Sequence, residues 1–159
     1  DLPMPRPSLA LPTSPRSSAY AEVIRRLKAW PALARVVKTW SCWDGSGRPG
    51  ALSLAQMPHV EITPVGSPAR WDSTVRHDAP LLIQAVIHVP GTDWRDAENL
   101  WQQVVAALFT DSWAASLGVE VISLLEHSAA LQAHEDDAAI VVTGQFRLRI
   151  RISTSFGVE

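Results

Sequence analysis

The 159-residue sequence has a single cysteine, Cys42, and therefore neither an internal disulfide nor a cysteine framework for a metal. No run reaches the roughly 18 apolar residues that cross a bilayer, and the N-terminal segment lacks the apolar centre of a signal peptide. We therefore expect a soluble protein without membrane contact. Neither sign of charge is in large excess, because the net charge is −2, which excludes a global positive field for binding nucleic acid.

Lysine and asparagine are also scarce, but tryptophan is not. Seven tryptophans are many for a chain that is long enough for one core and too short for two ordinary domains. Trp94 and Trp101 share a helical spacing, which predicts core positions. Trp43 and Trp71 lie in expected loops, where a large ring is typical of an interface.

Residues 1–17 hold five of the twelve prolines and no periodic apolar pattern. They predict an extended proline-rich arm that cannot fold alone. We expect the arm to lie on its own domain or on a neighbouring subunit, with Pro3, Pro5 and Pro7 as candidate contact residues. Residues 18–159 are expected to form a single α+β domain.

The clearest periodicity runs through residues 80–152. Residues 80–89 alternate as a strand with one apolar face, and residues 94–109 carry one apolar helical stripe after a Pro-Gly turn. Residues 112–117 predict a short turn of helix and residues 119–126 a strand. After an acidic turn at 134–137, residues 139–153 predict a long final strand.

The N-terminal half predicts a helix capped by Ser17 or Ser18 and interrupted by Pro31. Its apolar pattern resumes through Trp40, which indicates a kinked helix or two short ones. Irregular chain at 41–57 precedes a strand at 59–65, and residues 66–78 predict a long loop or a hairpin tip. The order α-β-β-α-β-β favours a two-layer α+β fold, with a mostly antiparallel sheet and helices on one face.

Several sequence patterns resemble catalytic or metal motifs, but each lacks the context that its chemistry needs. Residues 45–50 match G-x-G-x-x-G, yet they follow a helix and contain a proline. His127, His134 and the acidic residues 135–137 fit no metal-ligand spacing. Asp72, His77 and Asp78 have no nucleophile turn, and Cys42 is expected to be a packing residue. We therefore expect no catalytic, metal or cofactor site, and no enzyme.

Three arginines of the final strand form a different kind of feature. Period two places Arg147, Arg149 and Arg151 on one face over roughly 13 Å, opposite apolar residues. This face is either an ordinary solvated surface or a basic strip for a polyanion or an acidic subunit. Further candidate contact residues lie in the irregular segments: Trp43, Arg48, Arg70, Trp71 and Arg76.

The chain resembles the tail terminator, or tail completion, proteins of long-tailed bacteriophages and phage-like gene transfer agents. The resemblance covers roughly residues 18–153. It rests on the helix sequence RRLKAWPALA at 25–34, MPHVEI at 57–62, Trp71-Asp72 in a polar loop, and the helix at 94–109. Members of that family form a hexameric ring that caps the tail tube, and they carry no catalytic residues.

The resemblance implies a virion protein at the head-proximal end of the tail, assembled in the bacterial cytoplasm as a homo-oligomer, with a hexamer expected. Its partners would be the tail tube protein and a head-tail connector or neck protein, with DNA passing through the lumen without sequence-specific binding. The arginine strip would face that lumen or an adjacent subunit. One alternative is a neck or connector protein of the same particle. Another is a small-molecule-binding or enzymatic α+β domain, which requires a concave pocket that our interpretation does not predict.

Overall fold

The computed structural model describes residues 14–45, 51–65, 70–71, 76–78, 80–110, 113, 119–134 and 137–153. It contains helices and a mixed sheet, and is therefore an α+β fold. The helices are α1 (Pro15–Ala29), α2 (Pro31–Val36) and α3 (Trp94–Phe109), with a 3₁₀ turn at Leu54–Gln56. The strands are β1 (Thr39–Cys42), β2 (His59–Val65), β3 (Arg70–Trp71), β4 (Arg76–Asp78), β5 (Leu81–Pro90), β6 (Val119–His134) and β7 (Asp137–Ser153).

The sheet is built around β7, the longest strand. β5 pairs antiparallel with β7 on one side and with β2 on its other side, while β1 pairs parallel with β2. β6 pairs antiparallel with the opposite edge of β7. β3 and β4 form a small antiparallel pair that extends the sheet beside the last residues of β7.

One set of alternating strand residues forms the core with the helices. Along β5, burial alternates as the sequence predicts, and Ile83, Ala85 and Ile87 are fully buried. β7 contributes Phe146, Leu148 and Ile150 in the same alternation. The stripe of α3 packs on these residues through Trp101, which stacks on Phe146 with ring centroids 5.3 Å apart. Residues of α1, α2 and α3 belong to the same apolar cluster.

The helix boundaries follow from proline and capping positions. Ser14, rather than Ser17 or Ser18, caps α1, because its Oγ accepts a hydrogen bond from the Ser17 N–H at 3.0 Å and Pro15 opens the helix. The arm therefore ends earlier than predicted, and residues 1–13 lie outside the described residues. Pro31 is the first residue of α2, so of the two predicted alternatives, a kinked helix or two short helices, the structure has two separate helices, the first of them 15 residues long.

The sheet differs from the predicted one in several places. It is mixed rather than mostly antiparallel, because residues 39–42 form β1, which pairs parallel with β2. The sequence instead predicts a helical pattern through Trp40 and irregular chain from Ser41. β6 extends to His134, eight residues beyond the predicted end, because it pairs with β7 up to the turn. The predicted order α-β-β-α-β-β also lacks β1, β3 and β4. The short helix expected at 112–117 lies outside the described residues except for Trp113.

Trp94 is not a core residue, contrary to the prediction. It is the first residue of α3, directly after the N-cap Asp93, and 53% of its surface is exposed. Phe109, at the last position of the same helix, is 44% exposed although its ring lies 6.2 Å from that of Phe146. The helical stripe is therefore buried between its ends, where Trp101 lies.

Arg26 connects α1 to the end of α3. Its guanidinium donates hydrogen bonds to the carbonyl oxygens of Ala107 and Thr110, all at 3.2 Å. These carbonyls belong to the last turn of α3 and its C-cap, where carbonyl groups lack helical partners. Positive charge at a helix C-terminus is also favourable.

We expect Arg26→Met to lower the free energy of unfolding by about 1–2 kcal/mol, because the charged donors to these carbonyls are lost. Arg25→Met is the matched control, since Arg25 is exposed and bonds Glu22 on its own helix. Its effect should be much smaller. Urea unfolding measures both, and equal losses for the two variants would contradict the stabilising role of the α1–α3 contact.

Candidate functional site

The face of the sheet opposite the core carries the predicted arginine strip. Phe146, Leu148 and Ile150 are buried, and the alternating Arg147 is exposed while Arg149 is half-buried. In the strand register, Arg147 lies between Ser123 of β6 and Leu82 of β5. Arg151 pairs in register with Asp78 of β4, but its side chain lies outside the described part of the structure. The exposed Arg147 thus lies on the face of the sheet opposite the core.

The other predicted contact residues are only partly described. Trp43 follows β1 and is 69% exposed. The backbone of Arg70, Trp71 and Arg76 lies in β3 and β4, but their side chains are outside the described residues. Arg48, Pro3, Pro5 and Pro7 lie outside them altogether. The structure therefore brings Trp43 and the arginine strip to the sheet without joining them into one site.

The sheet also brings together a polar cluster that the sequence did not predict. His59 of β2 lies opposite His88 of β5, and Glu61 places one carboxylate oxygen 3.9 Å from Nε2 of His59 and the other 3.5 Å from Nε2 of His88. The Thr39 hydroxyl lies 2.6 Å from Nδ1 of His59 and donates to the carbonyl of Gln56. Since that hydroxyl has only one proton, Nδ1 of His59 is the protonated nitrogen.

The protonation of this cluster is biased by burial. Burial lowers the pKa of His59, and the nearby Glu61 carboxylate opposes this only in part. The pKa of Glu61 is also lowered, chiefly by its interaction with His88. At neutral pH the cluster is therefore a neutral His59 beside an ionised Glu61.

We expect acid to destabilise the protein through this cluster. The unfolded chain takes up a proton at the ordinary histidine pKa of 6.5, whereas folded His59 resists it. The free energy of unfolding should consequently fall as the pH drops below 6.5, until folded His59 is itself protonated. Glu61 adds to the loss below its ordinary pKa of 4.5.

His59→Asn retains a group that can donate to Thr39 and should flatten this pH dependence between pH 7 and 5. His127→Asn is the control, since 37% of the His127 side chain is exposed. Urea unfolding at each pH measures both variants. A wild-type slope in His59→Asn would show that another group carries the dependence.

Cys42, considered as a nucleophile, and His127, considered as a metal ligand, both pack against other residues of the domain. Burial raises the pKa of the Cys42 thiol to about 11, so the reactive thiolate is not populated near neutral pH. His127 stacks on Trp101 with centroids 5.3 Å apart, and its Nε2 lies 3.7 Å from Glu98. The side chains of Asp72, His77, Asp78 and His134 are outside the described residues, as are residues 46–50 of the glycine-rich motif. Within the described ranges, no group of three or more histidine, cysteine or acidic residues is arranged to hold a metal ion.

Large apolar side chains are exposed at several separate places. Besides Trp43 and Trp94, β6 exposes Leu124, Leu125 and Leu131, and 66% of Leu131 is accessible. Through the described residues, β6 pairs with β7 along one edge and with no strand along the other. Exposed apolar residues on an open strand edge are typical of surfaces that bind another chain.

A concave cleft lies between α2, α3 and the end of β5, where our interpretation of the sequence predicted no pocket. Its volume is about 420 Å³, and its apolar wall includes Val36, Val89 and Leu100. Arg35, Asp96, Asn99 and Gln103 line it with polar groups. The size and the mixed lining are within the range of small-molecule sites, although the exposed Val36, Arg35 and Asp96 leave the cleft open to solvent.

No helix among the described residues combines the length and apolarity needed to cross a bilayer.

Comparison with known proteins does not add a function to this geometry. No protein-family model matches the chain, and no curated protein matches it.

Proposed function

We propose that this chain is a structural protein of a phage-type tail, which caps the tail tube as a hexameric ring and joins the tail to the head or neck. The main support for this proposal is the set of exposed apolar side chains on β6, which pairs with β7 along one edge only within the described residues, together with the exposed Trp43. A monomer would leave these surfaces in water, whereas subunits of a ring cover them. The proposal includes no catalytic step and no cofactor.

The basic face of the sheet fits either of two positions in such a ring. Arg147 is exposed beside Ser123 and Leu82, so no acidic residue lies directly opposite it in the register. Its guanidinium is therefore available to the phosphates of DNA in a lumen or to carboxylates of the next subunit. The subunit itself is proposed to be one two-layer domain behind the arm, with the helices on one face. The single apolar cluster shared by all three helices supports this arrangement.

The mass of the purified chain tests the ring directly. Six copies of the 17.4-kDa chain give about 104 kDa, and electron microscopy of that species should show six-fold rings with a central opening. Light scattering over a wide concentration range supplies the mass. A species that stays monomeric at high concentration, alone and with tail tubes, would contradict the proposal. A ring bound on the head side of the joint would instead identify a neck or connector protein.

The cleft supports one alternative function, binding of a small molecule. Arg35 and Asp96 offer opposite charges beside an apolar wall, which fits a small zwitterionic ligand with an apolar part. Thermal unfolding with a panel of amino acids tests this. Stabilisation that is lost in both Arg35→Gln and Asp96→Asn would favour the alternative, and no shift with any of them would count against it.

A further inference from the structure

Among the residues that the structure describes, no strand pairs with the outer edge of the second half of β6, and this edge is suited to accept another strand. The two irregularities in its pairing with β7 lie in its first half, between Val119 and Val121 and between Leu124 and Glu126. From Glu126 to His134 the register is regular. Bulges, prolines and lysines are the usual means by which an edge strand avoids pairing with another chain, and residues 127–134 contain none of them.

The direction of the hydrogen bonds identifies which backbone N–H and C=O groups of β6 point away from β7. On the edge of β7 that pairs with β5, the Gly91 N–H donates to the carbonyl of Ala138 at 2.8 Å. The backbone N–H and C=O groups of Ala138 therefore point towards β5 and away from β6. Its register partner on β6 is Ala133. Because the bonding direction alternates along an antiparallel pair, the N–H and C=O groups of every second residue from Ala133 backwards point away from β7. These residues are His127, Ala129, Leu131 and Ala133.

The side chains of residues 127–133 are exposed, and none of them is acidic, lysine or arginine. All residues from 127 to 133 are exposed, on both faces of the strand. Ala129, Ala130 and Ala133 leave room next to the backbone, and Leu131 adds apolar surface. An incoming strand would therefore meet no acidic, lysine or arginine side chain in residues 127–133, and it would cover exposed apolar area.

The arm has a sequence suited to this edge. Pro3, Pro5 and Pro7 alternate with Met4, Arg6 and Ser8. In an extended strand, the prolines would all lack N–H groups on the same edge, while the other three residues keep theirs on the opposite edge. Such a strand pairs along one edge only, so it completes a sheet without offering a new open edge. Residues 1–13 lie outside the described residues, and the described chain resumes at Ser14, which caps α1.

We propose that residues 2–8 of one copy add as a strand to the open edge of β6, at residues 127–133, of a neighbouring copy. Near the start of α1, the Tyr20 hydroxyl is bonded to Ile62 of β2 and to Trp43 after β1. β5 and β7 separate β2 from β6, so this anchoring point lies on the side of the sheet away from the acceptor edge. A contact between two different surfaces is heterologous, and its repetition forms a ring where the rotation between subunits closes, as the proposed hexamer requires.

This inference rests on the self-association that the proposed ring requires, but it does not depend on whether the ring belongs to a phage-type tail. The first test uses two chains with different tags, one carrying Met4→Cys and the other Leu131→Cys, mixed and treated with a short bismaleimide. Cys42 is buried and is expected to react slowly. We expect a cross-linked dimer that contains one chain of each type.

Variants that block backbone pairing at the outer edge of β6 are compared with variants of similar size that do not. Ala129→Pro removes an outward N–H and keeps the bonds of β6 to β7, whereas Ala129→Val keeps the N–H. We expect the proline to reduce cross-linking about tenfold or more and valine to leave it nearly unchanged, because the incoming strand loses backbone bonds. In the arm, Met4→Pro/Arg6→Pro should reduce the mass of the assembly while Met4→Ala/Arg6→Ala should not. The arm variants test the contact even if Ala129→Pro fails to fold.

Three outcomes would overturn the inference. One is undiminished cross-linking with Ala129→Pro. Another is a chain carrying both cysteines that links only to itself, which would place the arm on its own sheet. The third is an intact assembly of Met4→Pro/Arg6→Pro, which would refute the arm contact and leave the proposed ring standing. A wild-type chain that is monomeric throughout would refute both.

Discussion

Replacing Gly144 by alanine is expected to destabilise the protein by about 3 kcal/mol or more, because it overpacks the core. A methyl group at this position of β7 would overlap the six-membered ring of Trp101, at its Cη2, Cζ2 and Cζ3 atoms. Trp101 has no room to retreat, since it is buried and stacks on both Phe146 and His127. Elsewhere in a strand, glycine to alanine would gain about 0.5–1 kcal/mol, so the expected sign is the reverse of the ordinary one.

A double-mutant cycle isolates this contact. Trp101→Leu alone should cost about 2–4 kcal/mol through the cavity that it leaves. In that background Gly144→Ala should cost little or become favourable, because the overlapping ring is absent. Urea unfolding followed by circular dichroism measures all four chains without relying on the fluorescence of Trp101. Additive losses in the double variant would show that the glycine is required for another reason.

The part of the fold that the sequence predicts is the part with one-sided burial and a clear period. β5 alternates because one face meets α3, and the middle of α3 is buried as its stripe requires. Periodicity does not predict elements that are short or that are not buried on one side only. β1 has only four residues, and its place beside β2 depends on pairing across the chain rather than on local pattern. β6 extends past its predicted end because β7 supplies hydrogen bonds where its own side chains are exposed.

The candidate sites show the same division. The arginine face follows from period two, because Phe146 and Leu148 are buried on the other side of β7. The cluster of His59, Glu61 and His88 depends on the register between β2 and β5, and no local signal contains that register. The cleft between α2 and α3 depends on how separate elements pack, which is why it was not predicted.

Replacing Tyr20 by phenylalanine is expected to lower the free energy of unfolding by about 2 kcal/mol, because one buried and one partly buried backbone group lose their bond to its hydroxyl. The Tyr20 hydroxyl donates to the carbonyl of Ile62 and accepts from the N–H of Trp43 at 2.9 Å. It thereby joins α1 to β2 and to the residue that follows β1. Ser18→Ala, which alters a partly exposed hydroxyl on the same helix, should leave stability nearly unchanged.

An alkaline titration gives this prediction a second, independent readout. Burial raises the pKa of Tyr20 to about 12, from an ordinary value of 10.0. The unfolded chain releases the phenol proton first, so the stability contributed by Tyr20 is complete below pH 10 and is lost as the pH rises towards 12. Tyr20 is the only tyrosine, so the tyrosinate absorbance near 295 nm reports this group alone. Ionisation of the folded protein near pH 10 would show that the hydroxyl is not held between the two backbone groups, and Tyr20→Phe should then cost little.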